Sequence, residues 1–203
     1  MKRFLLCSLL GVASLALWAV WPDWFGDLDK ETVRIVELLD VGANAVVADI
    51  GAGDGRIAVR LARRLDGAPR VIATDVDHEN LLQIQREVAD LGLENVVVRH
   101  AGESSTGLSD SCCDAVLMRK VFHHIKDREG FAKDLARIVK PGGKVMLIEF
   151  GPRWYLPVAG SVEGHGIRPT EAIQHLTAAG LTLDAHVENW SGRTYLLLFE
   201  KPL

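Results

Sequence analysis

The chain has 203 residues, with 27 acidic against 23 basic side chains and a formal net charge of -4, so it lacks the basic footprint of a nucleic-acid binder and no nucleic-acid partner is expected. Its three cysteines, Cys7 and the adjacent Cys112 and Cys113, suit neither a disulfide framework nor a zinc site, and no metal is expected. Beyond a short apolar N-terminus, about 180 residues remain, the size of one domain with a single core.

The N-terminus opens with Lys2 and Arg3, then an uncharged run from Phe4 to Val20 and the segment Trp21-Pro22-Asp23-Trp24-Phe25. As a helix this run reaches about 26 Å, just short of a hydrocarbon core of roughly 30 Å, with Trp18, Trp21 and Trp24 where rings collect at headgroups. A cleaved signal, an uncleaved anchor and a core helix all fit it. The bulky end Ala19-Val20-Trp21 offers no small-x-small cleavage site and favours the anchor. The expected organisation is a membrane-associated anchor over residues 1–25, with a single N-terminal span, and one domain over residues 26–203.

From Val46 the pattern changes to alternating strands and helices. The run Val46-Val47-Ala48-Asp49-Ile50-Gly51-Ala52-Gly53-Asp54-Gly55-Arg56 reads as a buried strand ending in an acid and then in glycines at alternate positions. Glycine lets a backbone turn sharply and pass close to a ligand. A dinucleotide fingerprint would place its third glycine at position 56, where Arg56 stands instead. An amphipathic helix over about Gly55 to Leu65 leads to a second buried strand, Arg70 to Asp77. Asp75 falls where a Rossmann-type unit places the carboxylate that accepts ribose hydroxyls. Asp77 competes for that role but also reads as the cap of the next helix, Leu81 to Leu91.

A short third strand, Asn95 to Arg99, precedes the loop carrying Gly102, Glu103 and Ser104. A fourth strand begins at Cys113 and runs into Arg119-Lys120-Val121-Phe122-His123-His124. A helix, a Lys140-Pro141-Gly142-Gly143 turn and a fifth strand ending at Glu149 follow. A loop containing Arg153, Trp154, Tyr155 and His165 is placed to cover substrate, and a helix from about Thr170 to Ala179 begins after Pro169 and stops at Gly180. Strands at Thr182 to Val187 and Thr194 to Phe199 form an antiparallel hairpin.

These ordered motifs, from about Asp40 to Glu149, resemble the class I S-adenosylmethionine (SAM)-dependent methyltransferases, most of all the small-molecule and quinone-type members. The resemblance implies an α/β, Rossmann-like, doubly wound, seven-stranded, mostly parallel sheet with a C-terminal antiparallel hairpin, and SAM as cofactor. It implies that the glycines and Asp49 lie at the methionyl end of SAM and that Glu103 meets the adenine amino group. The implied cofactor-binding set is Asp49, Gly51, Ala52, Gly53, Gly55, Asp75, Val76, Glu103, Ser104 and Arg119. Arg119 and Lys120 also read as facing an anionic substrate group or solvent. His123, His124 and Glu149 are the candidate bases, since histidine titrates near neutral pH and could take a proton from a nucleophile. Neighbouring histidines point in different directions, so at most one of the two is expected to line the site.

The expected activity is in-line methyl transfer to a small or lipid-like acceptor, with the chain mainly aligning the reactants. A nucleotide-dependent oxidoreductase and a membrane-tethered SAM-binding protein without catalysis are the alternatives. Charge around the apolar run, with Asp23, Asp27 and Asp29 after it, points the domain away from the cytoplasm, whereas SAM supply points it inward and favours a cytoplasmic catalytic domain.

Overall fold

The computed structural model describes residues 27–42, 44–65, 70–152 and 166–203. Its first helix, α1 (Leu28–Leu39), has no counterpart among the elements expected from the sequence. The Asp27 carboxylate caps it by accepting from the N–H groups of Asp29 and Lys30, and Asp40 ends it in the left-handed region. The remaining elements are β1 (Val46–Ile50), α2 (Arg56–Arg64), β2 (Arg70–Asp75), α3 (His78–Asp90), β3 (Val96–His100), β4 (Cys113–Arg119), a 3-10 turn (Phe122–His124), α4 (Arg128–Ile138), β5 (Val139–Phe150), α5 (Pro169–Ala178), β6 (Thr182–Val187) and β7 (Thr194–Glu200).

The seven strands form one sheet in the order β3-β2-β1-β4-β5-β7-β6. The first five are parallel, while β7 runs antiparallel between β5 and β6. This is the expected α/β architecture, with the last strand of the hairpin inserted next to the parallel core. Central strands are buried on both faces. Ala48, Val116, Met118, Val145 and Leu147 join α4 and α5 in one core layer. Val47, Ala115, Leu117, Met146 and Ile148 join α1 and α2 in the other. Near-continuous apolar runs are what a strand covered by helices on both sides requires.

At the start of β5 the expected Lys140-Pro141-Gly142-Gly143 turn is a bulge within the strand. The register passes from Cys113↔Val139 directly to Ala115↔Lys144, so these four residues loop out. Gly142 takes φ +74, and its N–H donates to the Lys201 carbonyl while the Lys201 N–H donates to Gly143.

The expected membrane placement is not supported and is withdrawn. Among the described residues no helix is long and apolar enough to cross a membrane. The run Phe4 to Val20, on which a single N-terminal span rested, lies outside the described residues.

Candidate active site

The site forms at the carboxyl ends of β1 and β4. Chain connections leave neighbouring strands there toward opposite sides of the sheet and open a crevice. The loop after β1 holds three glycines at positive φ, two of them for reasons internal to the protein. A Cβ on Gly51 would lie 2.6 Å from a Val121 methyl, and one on Gly55 2.7 Å from Ile84. Gly53, at φ +56, would point its Cβ into open space with nothing within 4 Å. Of the three, Gly53 is the glycine at which an added Cβ would meet no described atom.

On one side of Gly51 lies a cavity of about 590 Å³, a size suited to a nucleoside. Asp75, Val76, Gly102, Glu103 and Ser104 line it from the β2 and β3 ends, and Val121, His124, Ile125 and Phe131 close it with a mainly apolar wall. Asp75 is buried, and its carboxylate already accepts from the N–H of Gly53 at 2.8 Å, the N–H of Asp77 at 2.8 Å and the Asn80 amide at 3.3 Å. A carboxylate has about four acceptor positions, so one remains for a hydroxyl donor. Asp77 instead caps α3, accepting from the Glu79 N–H at 2.8 Å. Asp75 thus lines the cavity, whereas Asp77 lies on the exposed helix start.

On the other side of Gly51 is a smaller, charged pocket of about 180 Å³, lined by Asp49, Gly51, Ala52, Asp54, Arg56, Arg119 and Lys120, with Leu28 of α1 beside them. Asp49 is 2 % exposed, and its Oδ2 has no hydrogen-bond partner among the described residues. Burial pushes its carboxyl up to about 7; the charge of Asp75 adds to the rise, and Arg119 and the Ala58 N–H oppose it. An orphaned acceptor beside a second carboxylate fits a cationic group. It would repel the pyrophosphate of a dinucleotide, whereas SAM carries an ammonium and a sulfonium and no phosphate. The residues present therefore fit SAM: Asp49 for the cationic methionyl end, Gly53 for close backbone approach, and Asp75 for the ribose.

Arg119 is committed within the protein. Its guanidinium forms a two-pronged pair with Glu31 of α1, Nη2 to Oε2 at 2.8 Å and Nε to Oε1 at 3.3 Å, and the Trp190 indole N–H also donates to Glu31 at 3.1 Å. Glu31 is 3 % exposed. The sequence reading missed it because α1 was missed. The available signal was Asp27 as a cap followed by Leu28, Thr32, Ile35 and Leu39 at helical spacing, with an acid on the same face.

The candidate bases divide into two environments. Glu149, fully buried at the end of β5, accepts from the Phe122 N–H at 2.6 Å and lies 2.6 Å from His123 Nδ1. The His123 side chain is 3 % exposed. His124 packs its ring on His123, centroids 3.9 Å apart, and lines the nucleoside-sized cavity. Arg153, Trp154, Tyr155 and His165 lie outside the described residues. Among the described residues no group of three or more His, Cys, Asp or Glu side chains is placed to hold a metal ion.

Comparison with known proteins agrees with this chemistry. Residues 48–147 match the methyltransferase-domain family. An uncharacterized methyltransferase of Mycobacterium tuberculosis is 35 % identical over 104 residues, 51 % of this chain and 50 % of that protein. A demethylmenaquinone methyltransferase of Bacillus cytotoxicus is 31 % identical over 121 residues, 59 % of this chain and 49 % of that protein. The matches thus span about half the length of these curated relatives. The fold extends further: a SAM-dependent methyltransferase from Aquifex aeolicus superposes with a TM-score of 0.74 at 21 % identity, covering 92 % of this chain and 96 % of that one. The chain thus has the fold of SAM-dependent methyltransferases, and SAM is the cofactor that this likeness implies. The [4+2]-cyclase SpnF also superposes with a TM-score of 0.74, at 18 % identity over 86 % of this chain and 82 % of that one, so the fold by itself does not set the reaction.

Proposed function

We propose that the chain transfers a methyl group from SAM to a small or lipid-like organic acceptor. The observation that carries this reading is the orphaned, buried Asp49 carboxylate beside an open glycine turn, with a second carboxylate, Asp75, lining the adjoining cavity. Matches to methyltransferases named for demethylmenaquinone and 27-O-demethylrifamycin SV support a small-molecule acceptor.

When bound, SAM supplies a methyl group activated by a positively charged sulfur. The chain's residues supply position. Asp49 neutralises cationic charge at the methionyl end, and Asp75 fixes the ribose through its remaining acceptor position. Gly102, Glu103 and Ser104 border the base end of the cavity. Holding reactants about 3 to 3.5 Å apart lowers the barrier by several kcal/mol without a dedicated base. Where an acceptor must lose a proton, His124 is the imidazole that lines the cavity, and Glu149 orients His123 behind it.

Incubating the protein with methyl-labelled SAM and a small-molecule and lipid extract tests the reading. Label in an organic product, lost in Gly53→Val, is the expected result. Absence of transfer despite SAM binding would reduce the chain to a SAM-binding protein.

A further inference from the structure

Away from the crevice, two thiols stand side by side at the start of β4. Successive side chains of a regular strand point to opposite faces, so adjacent cysteines within one would face apart. Cys113 is the first residue of β4, but Cys112 belongs to the turn before it, where Ser111 takes φ +46 and its N–H donates to the Arg137 carbonyl of α4 at 2.9 Å. This turn brings both side chains against the same core layer, Cys113 fully buried and Cys112 partly exposed. Their sulfurs lie 2.7 Å apart. A disulfide bond of about 2.05 Å needs them to approach by less than about 1 Å. Burial, reinforced by the contact with Cys112, pushes the Cys113 thiol far above its ordinary range. Cys112 is thus the thiol that meets an oxidant from solvent, and Cys113 is the one that follows.

We propose that Cys112 and Cys113 are a reversible modification site, which hydroperoxides oxidise to a disulfide ring closed across the peptide bond that joins the two residues. The site is independent of the methyltransferase reading. The Cys112 sulfur attacks the peroxide, the O–O bond breaks, and a sulfenic acid forms while the thiol proton leaves in a first water. The Cys113 sulfur then bonds to the Cys112 sulfur, the S–O bond breaks, and the hydroxyl leaves with the Cys113 proton as a second water. The thiol pair has given two electrons to the peroxide. Adjacent Cα atoms across a trans peptide are about 3.8 Å apart, below the roughly 4.4–6.8 Å of ordinary disulfides, so the ring is strained and easily reduced again. That strain falls on the start of β4. The Cys113↔Val139 pairing is the one before the bulge, and the next residue, Asp114, accepts from the Val46 N–H at 2.8 Å and from Lys140 Nζ at 2.8 Å. Oxidation therefore loosens the junction of β1, β4 and β5 at the end of the sheet opposite the crevice.

The test treats the full chain with hydrogen peroxide, blocks the remaining thiols with iodoacetamide and weighs the tryptic peptides. The peptide of residues 100–119 holds both cysteines and excludes Cys7. In the wild type it is recovered unalkylated and lighter by two hydrogen atoms, and reduced glutathione restores both thiols. The oxidised protein melts about 5 °C or more below the reduced one. Cys112→Ser, a change at a partly exposed position, melts like the reduced wild type and shows neither the mass loss nor the fall in melting temperature after peroxide. The mass reading on the wild type needs no variant, so loss of folding cannot mimic it. The proposal is overturned if both cysteines of the treated peptide are alkylated, if Cys112 runs on to a sulfinic or sulfonic acid without closing the ring, or if it bridges to Cys7 or to a second copy of the chain. A ring that glutathione does not reopen, or one that leaves the melting temperature unchanged, overturns it equally.

Discussion

Replacing Asp49 with asparagine removes a charge that the ligand-free fold holds at a cost. The Asp49 carboxyl is buried and raised from an ordinary 3.8 to about 7, chiefly by desolvation. The native state therefore keeps a proton that the unfolded chain has already released. Native-state stability then falls as pH rises from about 4 to about 7 and is level above that, opposite to the usual behaviour of a salt-bridged carboxylate. At about 1.4 kcal/mol per pH unit the full effect is at most about 4 kcal/mol, or about 10 °C in melting temperature for a chain of this length. Asparagine has nearly the same shape and does not titrate. Ligand-free Asp49→Asn should thus gain on the wild type by about 2–3 kcal/mol between pH 5 and pH 8, read by urea unfolding followed by circular dichroism. The same variant should bind SAM about 10- to 100-fold more weakly, because a charged hydrogen bond is lost. A stability difference that does not grow between these two pH values would refute the assignment of Asp49 as a buried, unsatisfied acid awaiting a cation.

The glycine turn separates packing from ligand contact. Gly51→Ala drives a Cβ to 2.6 Å from Val121 and should lower stability by about 2–4 kcal/mol in chemical denaturation. Gly53→Ala meets nothing within 4 Å and should cost only the about 1 kcal/mol of its positive φ, yet lose most SAM affinity by calorimetry. Glu31→Gln leaves the Arg119 guanidinium without its counter-charge and should destabilise by about 3 kcal/mol in a thermal melt. His123→Ala strips the partner from buried Glu149 and should cost about 3 kcal/mol, whereas exposed His124→Ala should leave the melting temperature within about 2 °C and change turnover instead.

Much of the framework was legible because both faces of the central strands are covered. The runs at Val46–Ile50 and Cys113–Arg119 are apolar nearly throughout, and the intervening helices show clear 3.6-residue periodicity. Asp75 and the glycine turn were legible for the same reason: their chemistry sits at the tip of an unmistakable strand. The first helix was not, since its buried face includes Glu31 and Thr32, polar residues that break the apolar stripe and make sense only beside Arg119 and Trp190. The pairing of His123 with Glu149 joins residues on different strand ends, and local sequence carries no trace of it. Lys120 contradicts the local rule that left-handed positions go to glycine or asparagine. Its conformation is imposed by the Ile148 carbonyl across the sheet rather than by its neighbours in the chain. The insertion of β7 between β5 and β6 is likewise a property of the sheet edge, since spacing alone predicts only that the last two strands pair.

The central claim is that the crevice at the β1 and β4 tips binds a cationic sulfur nucleoside through Asp49, Gly53 and Asp75. Titration calorimetry with SAM and NAD in parallel measures this most directly. The account predicts one-to-one binding of SAM that is strongly weakened in Gly53→Val and Asp75→Ala, and no binding of NAD. Equal affinity for SAM in the wild type and both variants, or binding of NAD in place of SAM, would contradict it.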